Sequence, residues 1–353
     1  MVNLNFNVVG VPGTSSAVSF AAFKYNEMSP CTTRTNGSVT VIPGSIAGTV
    51  IYGNPVTGPA PRGVPNVLVS GAGSPPVSDT TGASGTYSLT GFGTGSYTIT
   101  PSKTGGDNGA ITSFDAAKIA QYVTGAVSFT AAQQTVADVS GIGGVSSFDA
   151  ALIARYVASL PPPHGSTGTW IFDPVSNTHA TVYANITGED YAALLMGDVS
   201  GNWGDPSPFR PADGPVRSTA VSLPHIVAPV GKDVIIPVTI QGAADKGVIS
   251  YEFDLRYDPS AIRPQANPID IVGTLSSRLS TVANAGTPGL LRVVVYGAMP
   301  LDGSGVLLNL RFTPVGSPGF VSPLVWERIM LNEGEPETTA TDGKIELSAA
   351  TAD

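Results

Sequence analysis

The chain has 353 residues, of which 12% are charged, and 26 acidic residues against 17 basic ones give a formal net charge of −9. This balance argues against a nucleic-acid-binding protein, because such proteins carry basic patches. One cysteine, Cys31, excludes an internal disulfide framework and a cysteine-based zinc site. The length predicts two to four domains, and frequent Gly and Pro between β-branched runs predict many short strands.

The first predicted element is a group of strands that repeats the end of the chain. Residues 3–42 align without a gap on residues 309–348 at a constant offset of 306 positions, as between Gly10 and Gly316. We therefore interpret residues 1–42 as the closing strands of a β-sandwich, too few to form a core alone. Two explanations stay open: the chain is part of a longer tandem array, or another subunit supplies the missing strands.

The next segment, residues 43–103, alternates apolar and polar residues between Gly, Pro and Asp turns, as in Gly85-Thr86-Tyr87-Ser88-Leu89. It contains no acid/base pair or nucleophile constellation. The order of its strands resembles the carboxypeptidase regulatory-like (transthyretin-like) domain. This resemblance implies a small β-sandwich that acts as a spacer.

Residues 104–160 contain one sequence twice. Ser-Phe-Asp-Ala-Ala begins at Ser113 and again at Ser147, an offset of 34 positions, and apolar residues then recur at helical spacing. A loop of EF-hand phase precedes each predicted helix, so we expect calcium, which prefers oxygen ligands. The predicted ligands are Asp138, Ser140, Gly144, Ser146 and Asp149 in the second loop and Thr104, Asn108, Ala110 and Asp115 in the first. Ile142 offers no side-chain oxygen where a ligand is expected, which predicts weakened affinity.

This doubled loop and helix resembles a dockerin, a calcium-binding module that docks onto cohesins. The resemblance implies that Ser113, Phe114, Ser147 and Phe148 contact the partner, because they hold loop positions ten and eleven. A structural interpretation competes with this one, in which the serines cap the helices and the phenylalanines anchor a core.

Residues 161–207 are predicted to extend this module with a hairpin, a short helix at 188–196 and an acidic loop. In that loop Asp198, Ser200 and Asn202 alternate and repeat the Asp-Val-Ser-Gly of the second calcium loop. Their oxygens suit calcium, and an Asx-rich turn is the competing interpretation.

A Pro-rich linker at 208–217 is followed by alternating strands over residues 218–349. The strand Tyr251-Glu252-Phe253-Asp254-Leu255 and the ending Leu331-Asn332-Glu333-Gly334 stand in the order found in cohesins. This segment resembles a cohesin, which implies a β-sandwich that binds dockerins. Asn26-Glu27 aligns with Asn332-Glu333, so residues 1–42 resemble the end of a second cohesin.

The predicted fold class is mainly β and multi-domain, with Ig-like or jelly-roll sandwiches and a small α-helical, EF-hand-type module. We expect a non-enzymatic, secreted or cell-surface scaffold that binds calcium, without nucleic-acid partners or a membrane span. Its partners would be other copies of itself or proteins with cohesin or dockerin modules, joined head to tail into a filament or packed within the chain as a rigid stalk. The alternative is a carbohydrate-binding accessory protein of polysaccharide degradation, in which exposed tryptophans among Trp170, Trp203 and Trp326 would contact sugars.

Overall fold

The computed structural model describes residues 3–7, 9–11, 13–24, 33–55, 61–204 and 218–350. Within these residues the chain forms 22 strands and three helices, which confirms the predicted β-rich fold class with a small helical module. The described residues divide into two compact units. The first draws on Met1–Gly53, Pro61–Thr104 and Trp170–Leu194, and the second on Asn54–Ala60, Gly105–Thr169 and Leu195–Asp353. Cys31 and the predicted linker lie outside the described residues.

The first unit holds the strands that precede the helices and those that follow them. They are β1 (Ser15–Val18), β2 (Gly37–Thr40), β3 (Ile46–Tyr52), β4 (Leu68–Ala72), β5 (Val77–Thr80), β6 (Thr86–Leu89), β7 (Tyr97–Ser102), β8 (Trp170–Asp173), β9 (Asn177–His179), β10 (Ile186–Thr187) and β11 (Tyr191–Leu195). β1 and β2 form a separate ribbon. β3 pairs with β6, β10 and β11, and β8 completes that sheet, while the other sheet has the order β5-β4-β7-β9.

The two larger sheets of this unit bury alternate residues, as the period-two pattern predicts. Ile46, Val50 and Tyr52 of β3 are buried, and so are Tyr97 and Ile99 of β7. The hydroxyl of the buried Tyr191, on β11, donates to the carbonyl of Ile99 at 3.2 Å, which joins the two sheets.

The segment predicted as a short helix at 188–196 is a strand, and the helix prediction is wrong. Tyr191 of β11 pairs in parallel with Val50 of β3, and Ala193 pairs with Tyr52. The Ala- and Leu-rich sequence favours a helix locally, but pairing with β3 and burial of Tyr191 override that preference. Strands β8 to β11 therefore extend the sheets of residues 43–103, although residues 161–207 were expected to extend the helical module.

The helices α1 (Ser113–Val123), α2 (Ala131–Ala137) and α3 (Ser147–Val157) belong to the second unit. α1 begins with a capping box in which Thr112 is the N-cap and Asp115 returns a hydrogen bond, and α3 repeats this with Ser146 and Asp149. The N-caps thus stand one residue before Ser113 and Ser147. Apolar residues of α1 and α3 face each other, as the helical periodicity predicts.

The rest of the second unit is a β-sandwich of two sheets. Its strands are β12 (Ser218–Ser222), β13 (His225–Pro229), β14 (Val234–Gln241), β15 (Ser250–Arg256), β16 (Ile262–Asp270), β17 (Ser280–Thr287), β18 (Leu290–Tyr296), β19 (Gly305–Pro314), β20 (Val321–Leu331), β21 (Glu337–Thr341) and β22 (Gly343–Ser348). One sheet has the order β16-β19-β14-β12-β21, and the other β13-β22-β20-β15-β18-β17. Phe253, Leu291, Leu310 and Phe312 lie in its common core.

The N-terminal ribbon has the strand register of the β20–β22 pair. Ser15 pairs with Thr40 in the ribbon, and Val321 pairs with Glu346 in the sandwich, which is the same pairing moved by 306 positions. The surroundings differ, because Phe6 is 61% exposed whereas its counterpart Phe312 is fully buried. The aligned Asn26-Glu27 lies outside the described residues.

Candidate functional site

In the loop before α3, hydrogen bonds link four of the five predicted ligands, Asp138, Ser140, Ser146 and Asp149. Asp149 Oδ1 accepts from the backbone N of Ser140 at 2.9 Å, and Asp149 Oδ2 accepts from the hydroxyl of Ser146 at 2.8 Å. The Ser140 hydroxyl donates to Asp138 Oδ1 at 3.2 Å. Gly144, the fifth, has a positive φ of 80° in the same loop. This oxygen-rich turn has the chemistry of a calcium loop.

The loop before α1 repeats this arrangement, but its two halves come from distant parts of the chain. Asp115 Oδ1 accepts from the backbone N of Ser200 at 2.8 Å, and Asp115 Oδ2 accepts from the backbone N of Thr112 at 2.8 Å. The Ser200 hydroxyl donates to Asp198 Oδ1 at 3.3 Å. Asp198, Ser200 and Asp115 thus stand to one another as Asp138, Ser140 and Asp149 do. We call this arrangement the composite loop.

Local sequence explains why the segment at 198–203 folds like the first half of the loop before α3. Asp198 Oδ1 accepts from the backbone N of Gly201 at 2.9 Å, as Asp138 Oδ1 does from Gly141, and both glycines have positive φ. The Trp203 indole donates to the carbonyl of Gly106 at 2.8 Å, which ties this segment to the loop before α1.

In the described structure, none of the other predicted first-loop ligands forms a hydrogen bond with the carboxylate of Asp115. Thr104 and Asn108 are exposed and Ala110 is buried, while the Asp115 oxygens bond to Thr112 and Ser200. A cation role for Thr104, Asn108 and Ala110 stays a prediction. The repeated Asp-Val-Ser-Gly was the sequence signal for the composite loop.

A residue of the sandwich also enters the composite loop. Glu333 follows β20, and its Oε1 accepts from the hydroxyl of Ser200 at 2.7 Å and from that of Thr112 at 3.2 Å. In the sequence, Glu333 is recognisable only as part of the closing motif. Its neighbours in space, from residues 112 and 200, could not be recognised from sequence spacing.

The surroundings of the composite loop disfavour the ionised form of its carboxyl groups. Burial, and then the nearby Asp198, raise the pKa of Asp115 well above its usual range. Burial, and then Asp115, do the same to the pKa of Glu333. In the described part of the chain, no Lys, Arg or His forms an ion pair with Asp115 or Glu333.

Helix α1 packs against β15 and β18 of the sandwich. The backbone N of Ser113 donates to Glu252 Oε2 at 2.7 Å, and Glu252 also pairs with Arg328. Glu252 is 2% exposed, so this contact lies inside the interface. The Gln121 amide donates to the carbonyl of Ala298 at 3.4 Å near the other end of α1.

Helix α3 contacts the sandwich at its C-terminus, where the Asn284 amide donates to the carbonyls of Ala158 and Ser159 at 2.8 and 2.9 Å. Its N-terminus is open, because Phe148 is 57% exposed whereas the equivalent Phe114 is 8% exposed. The four predicted partner-contact residues therefore fall into a covered pair on α1 and an exposed pair on α3.

Two regions of the second unit match known protein families. Residues 219–347 match the family model of the cohesin domain, and residues 106–158 match that of the dockerin type I domain. Both matches confirm the predicted resemblances, and both families are non-catalytic modules of protein assembly. No curated protein matches the chain.

Solved structures similar to the chain include the seventh ScaB type I cohesin of Pseudobacteroides cellulosolvens, at 21% identity and a TM-score of 0.32, with 38% of this chain and 94% of that chain covered. A non-cellulosomal cohesin from Archaeoglobus fulgidus shares 21% identity over 37% of this chain and 92% of its own, with a TM-score of 0.32. A type I cohesin–dockerin complex from Clostridium thermocellum shares 19% identity over 37% of this chain and 99% of that chain, also with a TM-score of 0.32.

Two further observations concern the described residues only. None of their helices is long and apolar enough to cross a membrane. They contain no group of three or more His, Cys, Asp or Glu side chains already arranged to hold a metal ion. A cation in either loop would therefore depend on mixed ligands, with hydroxyl, amide and backbone oxygens beside the carboxylates.

Proposed function

We propose that the chain is a non-enzymatic extracellular assembly protein that joins other copies of itself, or other proteins with cohesin or dockerin modules. The observation that carries this proposal is the contrast between the two helix starts. Ser113 and Phe114 are covered by the sandwich, whereas Phe148 is 57% exposed at the equivalent position of α3. One face of the helical module is thus engaged and the other is open for a partner.

The engaged face supports an internal cohesin–dockerin pair. α1 lies on the sheet that contains β15 and β18, and the pair of Ser113 with Glu252 is buried there. Because Glu252 also pairs with Arg328, the interface offers a charged anchor for the start of α1. If α1 of one copy made this contact with the sandwich of another copy, the copies would form the head-to-tail filament. Made within each copy, the contact gives the rigid stalk.

The open face is the proposed site of assembly. Phe148 and Ile142, which is 74% exposed, project from the α3 side of the module. Exposed aromatic and aliphatic side chains are typical of protein-binding surfaces. The partner that we propose for this face is the cohesin-like module of another copy, on a surface that its own α1 leaves uncovered.

Calcium is the cation that we propose for the module, since dockerin type I domains bind calcium. Asp138, Ser140, Ser146 and Asp149 would hold it in the loop before α3, because their hydrogen bonds already converge on one turn. The ion would supply structure rather than chemistry, by neutralising the carboxylates and fixing the start of α3.

Sedimentation velocity over a wide range of protein concentrations tests this assembly. We expect the chain to associate as its concentration rises, and Phe148→Asp to abolish the association, because it places a charge in an apolar contact. Asp is tolerated in the first turn of a helix, so the variant should fold. Val175→Asp is the matched control, because Val175 is 75% exposed in the other unit. A chain that stays monomeric at every concentration, or a Phe148→Asp variant that still associates, contradicts the assembly of the chain with copies of itself through this face.

The carbohydrate-binding alternative depended on exposed tryptophans. Trp170 is 8% exposed and Trp203 is 4% exposed, and the Trp326 indole donates to the carbonyl of Thr341 at 3.1 Å. These side chains serve the packing of the protein, so no specific observation favours a sugar-binding platform.

A further inference from the structure

We propose that the composite loop binds one divalent cation of the calcium type, with Glu333 of the sandwich among its ligands, so that the ion fastens the helical module to the sandwich. This inference rests on the proposed function, in which α1 and the sandwich form an assembly pair. It differs from the loop before α3, whose candidate ligands all come from one continuous segment.

Several side-chain oxygens of the composite loop meet at Ser200. Ser200 bonds to all three carboxylates, through its backbone N to Asp115 and through its hydroxyl to Asp198 and Glu333. Asn202 adds an amide in the same turn, since its backbone N donates to Asp198 Oδ1 at 3.2 Å. Calcium takes six to eight oxygen ligands of these kinds and accepts irregular geometry.

Two buried oxygens of the composite loop lack a hydrogen-bond donor in the described part of the chain. Asn202 Oδ1 and Glu333 Oε2 have none among the described residues, although Asn202 is 7% exposed and Glu333 is 8% exposed. A buried polar atom without a partner costs free energy, so such atoms usually have a water or an ion beside them. Both side chains belong to the composite loop, and both offer the oxygen that a hard cation prefers.

The negative charge of the composite loop also favours a bound cation. Asp115 and Asp198 are fully buried and Glu333 is nearly so, which places up to three negative charges in one small volume. These carboxylates repel one another, and burial disfavours their ionised form. A bound divalent cation would offset it without protonating the carboxylates.

The loop before α3 has no counterpart of Glu333 in the described structure. Ser140 and Ser146 are the counterparts of Ser200 and Thr112, and they are bonded within their own loop by Asp138 and Asp149. Only the composite loop receives a carboxylate from the sandwich in the described structure. The ion in the composite loop is therefore the one that we expect to link two modules.

The sequence contains the same acid a second time. Glu27 stands 306 positions before Glu333, within the same Asn-Glu pair of the repeated segment. The repeat that resembles the end of a second cohesin thus also carries the residue that we assign to cation binding.

Terbium luminescence on the full chain tests the proposal, with terbium as the calcium mimic and calcium as the competitor. Trp203 can sensitise terbium in the composite loop, because its backbone N donates to Asp198 Oδ2 at 3.0 Å. We expect Glu333→Gln to weaken this site at least about tenfold, since affinity follows the ligand charge. Gln can still accept from Ser200 and Thr112, which keeps the local fold. Asp149→Asn is the matched control, which should remove the other site and leave the Trp203-sensitised signal.

Hydrogen exchange of the amides at the start of α1 measures whether the ion holds the helical module to the sandwich. We expect calcium to slow exchange at Ser113 and Phe114 in the unaltered chain and in Asp149→Asn, and to have little effect in Glu333→Gln. If Glu333→Gln binds terbium like the unaltered chain, or if Asp149→Asn binds none, the composite cation site is wrong. Sedimentation decides the proposed assembly separately, so a chain that associates but lacks this site contradicts only the present inference.

Discussion

Helices α1 and α3 begin with the same five residues, Ser-Phe-Asp-Ala-Ala, and yet occupy opposite environments. The start of α1 lies on the sandwich and its loop is completed by residues 198–202, whereas α3 follows a continuous loop and presents Phe148 to solvent. The duplication therefore provides two similar surfaces, and tertiary contacts give them different tasks. Variants at the two helices should therefore differ in their effects on stability and hydrogen exchange.

The largest difference is expected when the two phenylalanines are removed. Phe114→Ala should destabilise the second unit by about 3 kcal/mol, because a buried aromatic ring is lost and a cavity remains. Lys118 Nζ lies 4.8 Å from the centre of this ring and would lose that contact as well. Phe148→Ala should cost less than about 1 kcal/mol, because the side chain is exposed. Urea unfolding followed by tryptophan fluorescence measures both, and equal losses would contradict the asymmetry.

A smaller effect is expected at the charged anchor of α1. Glu252→Ala should cost about 1 to 3 kcal/mol, because it leaves the Ser113 N–H in the interface without its acceptor. Asp254→Ala on the same strand is the control. The Asp254 side chain is more exposed than that of Glu252, and its ion pair with Arg292 should contribute less than about 1 kcal/mol.

Hydrogen exchange shows where the anchor acts. Glu252→Ala should speed exchange at the start of α1 and leave the start of α3 unchanged. Faster exchange at both helix starts would mean that the anchor supports the whole module rather than α1 alone.

The smallest effect is expected at the end of α3. Asn284→Ala removes two hydrogen bonds to the carbonyls of Ala158 and Ser159 and should cost about 1 kcal/mol. Asn284→Asp should cost more, because a carboxylate cannot donate and faces the negative end of the helix. Thermal unfolding of the two variants gives the order, and a more stable Asp variant would exclude this capping role.

Much of the fold could be predicted from local pattern. The period-two alternation of β3 and β14 and the helical spacing after Ser113 and Ser147 each depend on which face of an element is buried. The strand at β11 was missed for the same reason, because its Ala and Leu residues favour a helix until β3 offers a partner strand. Local preference fails where a distant segment supplies the hydrogen bonds.

The candidate site, like the fold, could be predicted only where its residues lie close together in the sequence. Asp138, Ser140, Ser146 and Asp149 were predicted together because they lie within one short loop, and the structure brings them together. Asp115 and Ser200 are 85 positions apart, and Ser200 and Glu333 are 133 positions apart. No spacing rule relates such residues, although the repeat of Asp-Val-Ser-Gly indicated that half a loop was present.

The sequence by itself determined the β-rich architecture, the doubled loop and helix, and the repeat at an offset of 306 positions, because each is a pattern of neighbours along the chain. Only the tertiary structure decided which helix start is covered, which loop is composite, and which glutamate enters it. Those outcomes depend on how separate segments pack, since burial and hydrogen bonding are set by residues that are close in space and distant in sequence.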